Sequence, residues 1–327
     1  MGGLIMDSKN LLEVKNLKKY FQTPRGLLHA VDNVTFNIEK GKTIGIVGES
    51  GCGKSTLGKT LMRLHQPTAG EVMFKDADIA NIPLKEFKKK YRANIQMIFQ
   101  DPYASLDPRM SILQLIEEPI KVNNKSLSKA QVTEKAREMM ELVGLAKRLE
   151  NAYPHELDGG RRQRIGIARA LSLNPEFIVC DEPVSALDVS IQAQVLNLLQ
   201  DLQEQRGLTY MFITHDMSVV KHISDDIAVM YLGQMIEKCS ADRIFRDTIH
   251  PYSQALLSAI PIPNVHVKHE RMVLKGELTS PIDPKPCCRF AQRCPYATDK
   301  CLAEEPKLRE ILPNHHVACH FAEKFVK

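Results

Sequence analysis

Nine consecutive residues, Gly48 to Thr56, read GESGCGKST and fit the pattern G-x-x-x-x-G-K-[S/T]. Gly51 and Gly53 let the backbone turn tightly enough for its N–H groups to face phosphate oxygens. Lys54 supplies a cation for β and γ phosphates, and the Ser55 hydroxyl suits Mg²⁺. Gly48, Ser50, Cys52 and Thr56 complete the same cradle. A chance match to the four fixed positions in a chain of this size is about 1%, so a plain glycine turn is the weaker reading. Further on, Phe177 to Pro183 reads FIVCDEP, an apolar strand ending in two carboxylates. There Asp181 suits a hydrated Mg²⁺ and Glu182 suits polarising an attacking water. Alone it is an ordinary strand end; beside the glycine-rich loop it points to hydrolysis of a nucleoside triphosphate.

The cysteines form a second constellation. Cys52, Cys180 and Cys239 are scattered, whereas Cys287, Cys288, Cys294, Cys301 and Cys319 crowd the last segment. In a reducing compartment such crowding suggests a metal before disulfides. Cys288, Cys294, Cys301 and Cys319 leave five, six and seventeen residues between them, which fits neither usual zinc-finger spacing. Cys287 is the spare.

The elements that must position these residues are legible as patterns. Leu12 to Leu17 and Val31 to Ile38 alternate apolar and polar residues as strands do, and Lys42 to Gly48 is a buried strand leading into the glycine-rich loop. A helical pattern runs from Lys54 through Leu64, then strand signals return at Glu71 to Phe74 and Ile95 to Phe99. From Pro102 to Leu173 strand signals vanish, and Ser128 with Gln131 three positions on marks a capping box before Val132, Ala136, Met139 and Val143. Strands reappear at Phe177 to Cys180, Thr209 to Ile213 and Ile227 to Leu232, with a helix through Ile191, Val195, Leu198, Leu199 and Leu202 between them. Alternating strands and helices predict an α/β core with a helical insertion at about 102–173. Half of the eighteen prolines lie from Pro251 onward. Pro261, Pro263, Pro281, Pro284 and Pro286 argue for an irregular appended domain.

At 327 residues the chain is about twice a typical domain, and its 43% hydrophobic and 25% charged content matches a globular protein. Disorder and collagen-like fibres are excluded, and the apolar runs are too short for a bilayer crossing. Met1 to Asn10 lack a secretory start, and Met6 stands where a myristoylation signal wants Ser or Thr. With 44 basic against 39 acidic residues the net charge is +5, weak beside the basic stripe of a nucleic-acid binder.

From about Leu11 to Ile260 the chain resembles the ATP-binding subunits of ABC transporters, whose six motifs occur here in order. The resemblance implies a P-loop ABC ATPase core with an antiparallel β layer, a helical subdomain and a small cysteine-rich C-terminal domain. It gives roles to further residues. Tyr20 resembles the aromatic that stacks on adenine, Gln100 the glutamine that reaches Mg²⁺, Ser185 to Asp188 (SALD) the D-loop, and His215 the histidine that contacts the γ-phosphate. HPYSQALLSAIPIPN at His250 to Asn264, GELTSPIDP at Gly276 to Pro284, YPHEL at Tyr153 to Leu157 and DEPVSALDVS at Asp181 to Ser190 are similar to dipeptide and oligopeptide importers. Nickel importers of related build share much of this. The expected organisation is an ATPase domain over 1–260 and an extension over 261–327. Some members of the subgroup carry an iron–sulfur cluster in that extension. Four thiolates suit 4Fe-4S as well as zinc, with disulfides and free thiols as further readings.

The family signature Leu-Ser-Gly-Gly-Gln here reads Leu157-Asp158-Gly159-Gly160-Arg161. Asp caps a helix as well as Ser does. In the family, however, this residue faces the γ-phosphate on the partner subunit, and a carboxylate about 4 Å from phosphate is repelled by ~1 to 4 kcal/mol. Either the composite site is weakened, or Arg161 or Arg162 offsets the charge. The resemblance implies a companion ATPase in a heterodimer, two transmembrane permeases, an indirect extracytoplasmic peptide-binding protein, and a peripheral place on the cytoplasmic membrane face. A nucleic-acid or ribosome-associated ABC ATPase is the rival from another class. Against it stand the lack of a second P-loop and of sustained heptads.

Overall fold

The computed structural model describes residues 9–260, 272, 274, 276 and 279–326. Met1 to Ser8, Pro261, Pro263 and the expected boundary at 260/261 lie outside the described residues. The chain forms two compact units, Met1–Asn81 with Phe212–Lys327, and Ile82–Met211.

The first unit opens with strands β1 (Asn10–Thr23) and β2 (Gly26–Glu39), followed by β3 (Thr43–Val47), helix α1 (Lys54–Leu61), β4 (Ala69–Phe74) and β5 (Ala77–Asp78). β1 and β2 pair antiparallel with Leu12 opposite Ile38 and Tyr20 opposite His29. β4 joins the other side of β1, giving a four-stranded layer in the order β2-β1-β4-β5. That is the antiparallel layer implied by the resemblance, built from the strands that the alternation marked. All five residues of β3 are buried, as a continuous apolar strand in a parallel sheet should be. Helix α1 stops at Leu61, short of Leu64, because Arg63 takes a left-handed φ of 54°.

The second unit holds α2 (Leu84–Lys90), β6 (Ile95–Ile98), α3 (Ile112–Asn123), α4 (Lys129–Leu142), α5 (Gly159–Leu171), β7 (Phe177–Asp181) and α6 (Val189–Arg206). β6 and β7 run parallel, Met97 opposite Val179. As expected, the stretch 102–173 has no strand. Ser128 Oγ accepts the Gln131 N–H while Gln131 Oε1 accepts the Ser128 N–H, and Val132, Ala136, Met139 and Val143 are buried. The pair Ser111 and Gln114 makes the same box on α3. Strand β8 (Thr209–Thr214) carries the chain from the second unit back into the first.

There follow α7 (Met217–Ile223), β9 (Asp226–Tyr231), β10 (Gln234–Ser240), α8 (Ala241–Arg246), α9 (Pro251–Ser258), α10 (Asp299–Ala303), β11 (Arg309–Leu312) and β12 (His315–Val317). β9 lies parallel to β3, and β10 is antiparallel to β9. The tail is less irregular than its prolines imply. β12 pairs with β10, Glu237 opposite Val317, and β11 pairs with β12. At three and four residues these strands are too short to show an alternation. Ile249, Val317 and Ala322 make a small core beneath Ile311, Leu312 and Phe325. Beside it the fully buried Glu237 carboxylate accepts the N–H groups of Ile249 at 2.7 Å and His250 at 3.1 Å, and meets His315 Nε2 at 2.8 Å. A buried polar group is kept only when it is hydrogen-bonded in this way.

Candidate nucleotide site

The glycine-rich loop connects β3 to α1 in the first unit. Gly53 caps α1 with φ 107°, and a Cβ there would stand 2.1 Å from the Ala30 carbonyl oxygen. Only glycine fits both constraints. Gly48 is equally confined, since a Cβ would meet Met230 O at 2.3 Å, whereas Gly51 has φ 80° and open space. Lys54 is buried, and its Nζ donates to the carbonyls of Gly48 at 2.8 Å and Glu49 at 3.0 Å. The Cys52 sulfur lies 3.8 Å from that Nζ. Burial pushes the Cys52 thiol up, so it is an uncharged neighbour. Ser50 is exposed, and Ser55 and Thr56 are half-buried in the first turn of α1. The arrangement sets one ammonium and a helix N-terminus at the mouth of a glycine loop, which is chemistry for holding phosphate.

Tyr20 lies on β1 with one ring face stacked on His29, centroids 3.9 Å apart. Its hydroxyl donates to Asp32 Oδ1, while Asp32 Oδ2 stands 3.0 Å from His29 Nδ1. Burial pushes the Asp32 carboxyl up, but the Tyr20 and His29 hydrogen bonds and the Arg289 charge outweigh it and hold the group below the usual carboxylate range. Burial first, then Asp32, push the Tyr20 phenol up. Tyr20 is therefore a neutral aromatic in a fixed orientation. His215 follows β8, exposed on the surface, and Asp216 beyond it caps α7 by accepting the Ser218 N–H at 2.8 Å.

In the second unit, buried β7 delivers Asp181, 3% exposed, at its C-terminal end. Glu182 follows in the left-handed region at φ 46°, a conformation that costs energy for a non-glycine residue. Gln100 Nε2 donates to Glu182 Oε2 at 3.1 Å. Sequence spacing gave no hint of this contact across 82 residues. Asp188, at the end of SALD, caps α6 by accepting the Ile191 N–H at 3.0 Å. Asp158 caps α5 in the same way through the Arg161 N–H at 2.8 Å. Gly160 is buried, and a Cβ there would meet Ile191 at 2.5 Å, while one at Gly159 would meet Leu187 at 3.0 Å.

Cys288, Cys294, Cys301 and Cys319 line one small cavity of about 20 Å³, together with His250, Phe290, Tyr296 and Phe325. All eight cysteines are free thiols. Among the described residues no three His, Cys, Asp or Glu side chains are close enough to hold a metal ion. Two of the four thiols are engaged locally, Cys301 with Thr298 Oγ1 at 3.7 Å and Cys319 with the Phe321 N–H at 3.4 Å. Burial, reinforced by the neighbouring cysteines, pushes Cys288 up to about 12, and burial raises Cys294 and Cys319 as well.

The sequence reading missed Asp32, His29, Arg289 and Arg293. Arg289 reaches Asp32, and Arg293 makes a forked pair with Glu49 of the loop at 2.7 and 3.1 Å. No local pattern marks contacts made across roughly 250 residues.

The family model described as "ABC transporter" matches residues 31–185, and that described as "Oligopeptide/dipeptide transporter, C-terminal region" matches 236–301. The chain is 51% identical over 323 residues to the oligopeptide transport ATP-binding protein AppF of Bacillus subtilis, covering 96% of this chain and 98% of that protein. It is 46% identical over 316 residues to OppF of the same organism, covering 97% and 98%. Among solved structures, the dimeric post-hydrolysis state of the ATP-binding cassette MJ0796 bound to ADP and Pi superposes with a TM-score of 0.65 at 31% identity, covering 70% of this chain and 98% of that one. The cbiO1 subunit from Clostridium perfringens gives 0.64 at 26%, covering 73% and 91%. No helix among the described residues is long and apolar enough to cross a membrane. With a glycine-rich phosphate loop on a parallel strand, a second apolar strand ending in Asp181 and Glu182, and relatives about half identical over nearly the full length, the chain belongs to the ABC family of oligopeptide-transport ATP-binding proteins.

Proposed function

We propose that this chain is the ATP-binding and hydrolysing subunit that powers import of dipeptides or oligopeptides through a membrane ABC transporter. The observation that carries the reading is similarity across almost the whole chain to proteins named for oligopeptide transport, extending into the C-terminal region at 236–301. The reading includes an ATPase domain over 1–260 with a helical subdomain at about 102–173 and an extension over 261–327.

Within it, the 48–56 loop receives the phosphates, Lys54 neutralises them, and Tyr20 offers its ring to adenine. Glu182 takes the proton of the attacking water and His215 contacts the γ-phosphate. The oxygen donors Ser55, Gln100 and Asp181 are the hard ligands that Mg²⁺ prefers, and the ion supplies charge neutralisation to the phosphates. Asp158, Gly159 and Gly160 face the nucleotide of a companion cassette. A companion with an intact signature, hence a heterodimer, would leave the Lys54 site competent. Two permeases and, through them, an extracytoplasmic peptide-binding protein complete the assembly at the cytoplasmic membrane face; nucleic acid has no part.

Cys288, Cys294, Cys301 and Cys319 are proposed to hold a 4Fe-4S cluster. Support comes from their lining one cavity. A cluster takes one thiolate at each of four irons, so its ligands stand wider apart than the four around a single zinc at about 2.3 Å. Protein prepared anaerobically with iron should contain iron and labile sulfide, lost on changing any of the four to Ser. Absence of both in that preparation removes the cluster.

The transport reading is tested by co-expressing the chain with its companion, the permeases and the binding protein in membrane vesicles. Peptide should stimulate ATP turnover, and Lys54→Ala should abolish peptide uptake. Turnover indifferent to the permeases and to peptide would overturn it.

A further inference from the structure

Two arginines of the tail, bracketed by Cys288 and Cys294, each end on an acidic residue of the nucleotide site. Arg289, with its side chain 5% exposed, donates to the Asp32 carboxylate and to the Leu232 carbonyl. Asp32 in turn holds the Tyr20 hydroxyl and faces His29, whose ring covers one face of Tyr20. Arg293 forks onto Glu49, the residue after Gly48 in the phosphate loop. The Glu49 N–H is also taken, by the Tyr252 hydroxyl at 2.9 Å.

The tail's main chain follows the same course. The His29 N–H donates to Pro281 O at 2.9 Å, and Ile282 bridges to Leu28. Buried charges are expensive, and an apolar contact would anchor a tail as firmly. A guanidinium fork instead fixes the direction of the carboxylate it holds. Both carboxylates so fixed belong to the base platform or the phosphate loop.

We propose that Arg289 and Arg293 are positioning residues for nucleotide, Arg289 orienting the Tyr20 platform through Asp32 and Arg293 orienting the phosphate loop through Glu49. The tail is then a working part of the ATP site. The proposal rests on the reading of Tyr20 and the 48–56 loop as nucleotide-binding, and it separates the two arginines: Arg289 acts on the base, Arg293 on the phosphates.

Calorimetric titration of the full chain with ATP and with inorganic tripolyphosphate, which lacks a base, tests both halves. Arg293→Gln should weaken both ligands about tenfold, and Arg293→Lys should recover part of the loss. Arg289→Gln should weaken ATP about tenfold and leave tripolyphosphate unchanged. Tyr20→Phe, which lacks the hydroxyl that Asp32 holds, should give the same split and carries the test where Arg289→Gln does not fold. Wild-type ATP affinity in the Gln variants overturns the inference. Equal loss of ATP and tripolyphosphate in Arg289→Gln overturns its assignment to the base. A wild-type chain that binds neither probe overturns the nucleotide-site reading beneath both.

Discussion

Asp158 is turned back on Arg161: its Oδ1 accepts the Arg161 backbone N–H at 2.8 Å, and its Oδ2 lies 3.3 Å from the guanidinium of the same residue. The two departures from the family signature therefore occur as a pair. The Gln-to-Arg change supplies a cation one turn from the Ser-to-Asp change. Both side chains are about half exposed, 56% and 51%, so water screens the carboxylate as well.

The pairing predicts a coupled pair of mutants. Arg161→Gln unmasks Asp158 and should lower turnover at the composite site several-fold, an effect consistent with ~1 kcal/mol for an exposed pair. Asp158→Ser in that background should restore it, while Asp158→Ser alone should change little. ATPase rates of the assembled transporter for the four combinations measure the coupling. Purely additive effects would show that Arg161 does not offset the carboxylate.

Glu182→Gln should retain ATP binding and lose turnover by about a hundredfold or more, the usual worth of a positioned base. The amide keeps the shape and can still meet Gln100, so the loss reports the missing base and charge. Single-turnover hydrolysis separates the two steps. Turnover within a few-fold of wild type would assign the proton to another group.

Gly53→Ala should damage the phosphate loop without touching the nucleotide directly. The added methyl meets Ala30 O at 2.1 Å and sits at φ 107°, so either the loop or β2 must move. Nucleotide affinity should fall by at least about tenfold, whereas Gly51→Ala, with open space around it, should be milder. Equal effects at both positions would mean that backbone strain, and not the clash with Ala30, governs the loop.

These residues also mark how far the sequence could be read. The β3-loop-α1 unit and the β7 carboxylates were legible because their chemistry demands fixed residue types at fixed spacing. The capping box at Ser128 was legible because it is local. The left-handed Glu182, the Gln100 contact and the arginine anchors were not, since each depends on tertiary partners far along the chain. The tail misled in a different way. Its prolines suggested an irregular segment, whereas β12 extends the sheet through Glu237 and Val317, a pairing that three residues cannot announce. The four cysteines do line a common cavity, and spacing could reveal neither that cavity nor the local bonds of Cys301 to Thr298 and of Cys319 to Phe321.

His250 gives the tail a pH dependence of calculable sign. Its Nδ1 accepts the Tyr252 N–H at 3.1 Å at the start of α9, which requires the ring to be unprotonated there. Burial lowers its pKa to about 4, despite Glu237 and the Ala318 backbone acting the other way. An unfolded chain takes up the proton near pH 6.5, so between about 6.5 and 4 the unfolded state binds more protons than the folded one. The stabilising contribution is complete above about pH 6.5 and is lost as pH falls toward 4, by up to ~3 kcal/mol across the window. The denaturation midpoint should drop between pH 7.5 and 5. His250→Asn keeps an oxygen acceptor for the cap but cannot titrate, so it should show a flatter dependence, the remaining slope coming from other lowered groups such as His65, His316 and the Asp32 and Glu117 carboxylates. An identical slope in wild type and His250→Asn would place the titration elsewhere.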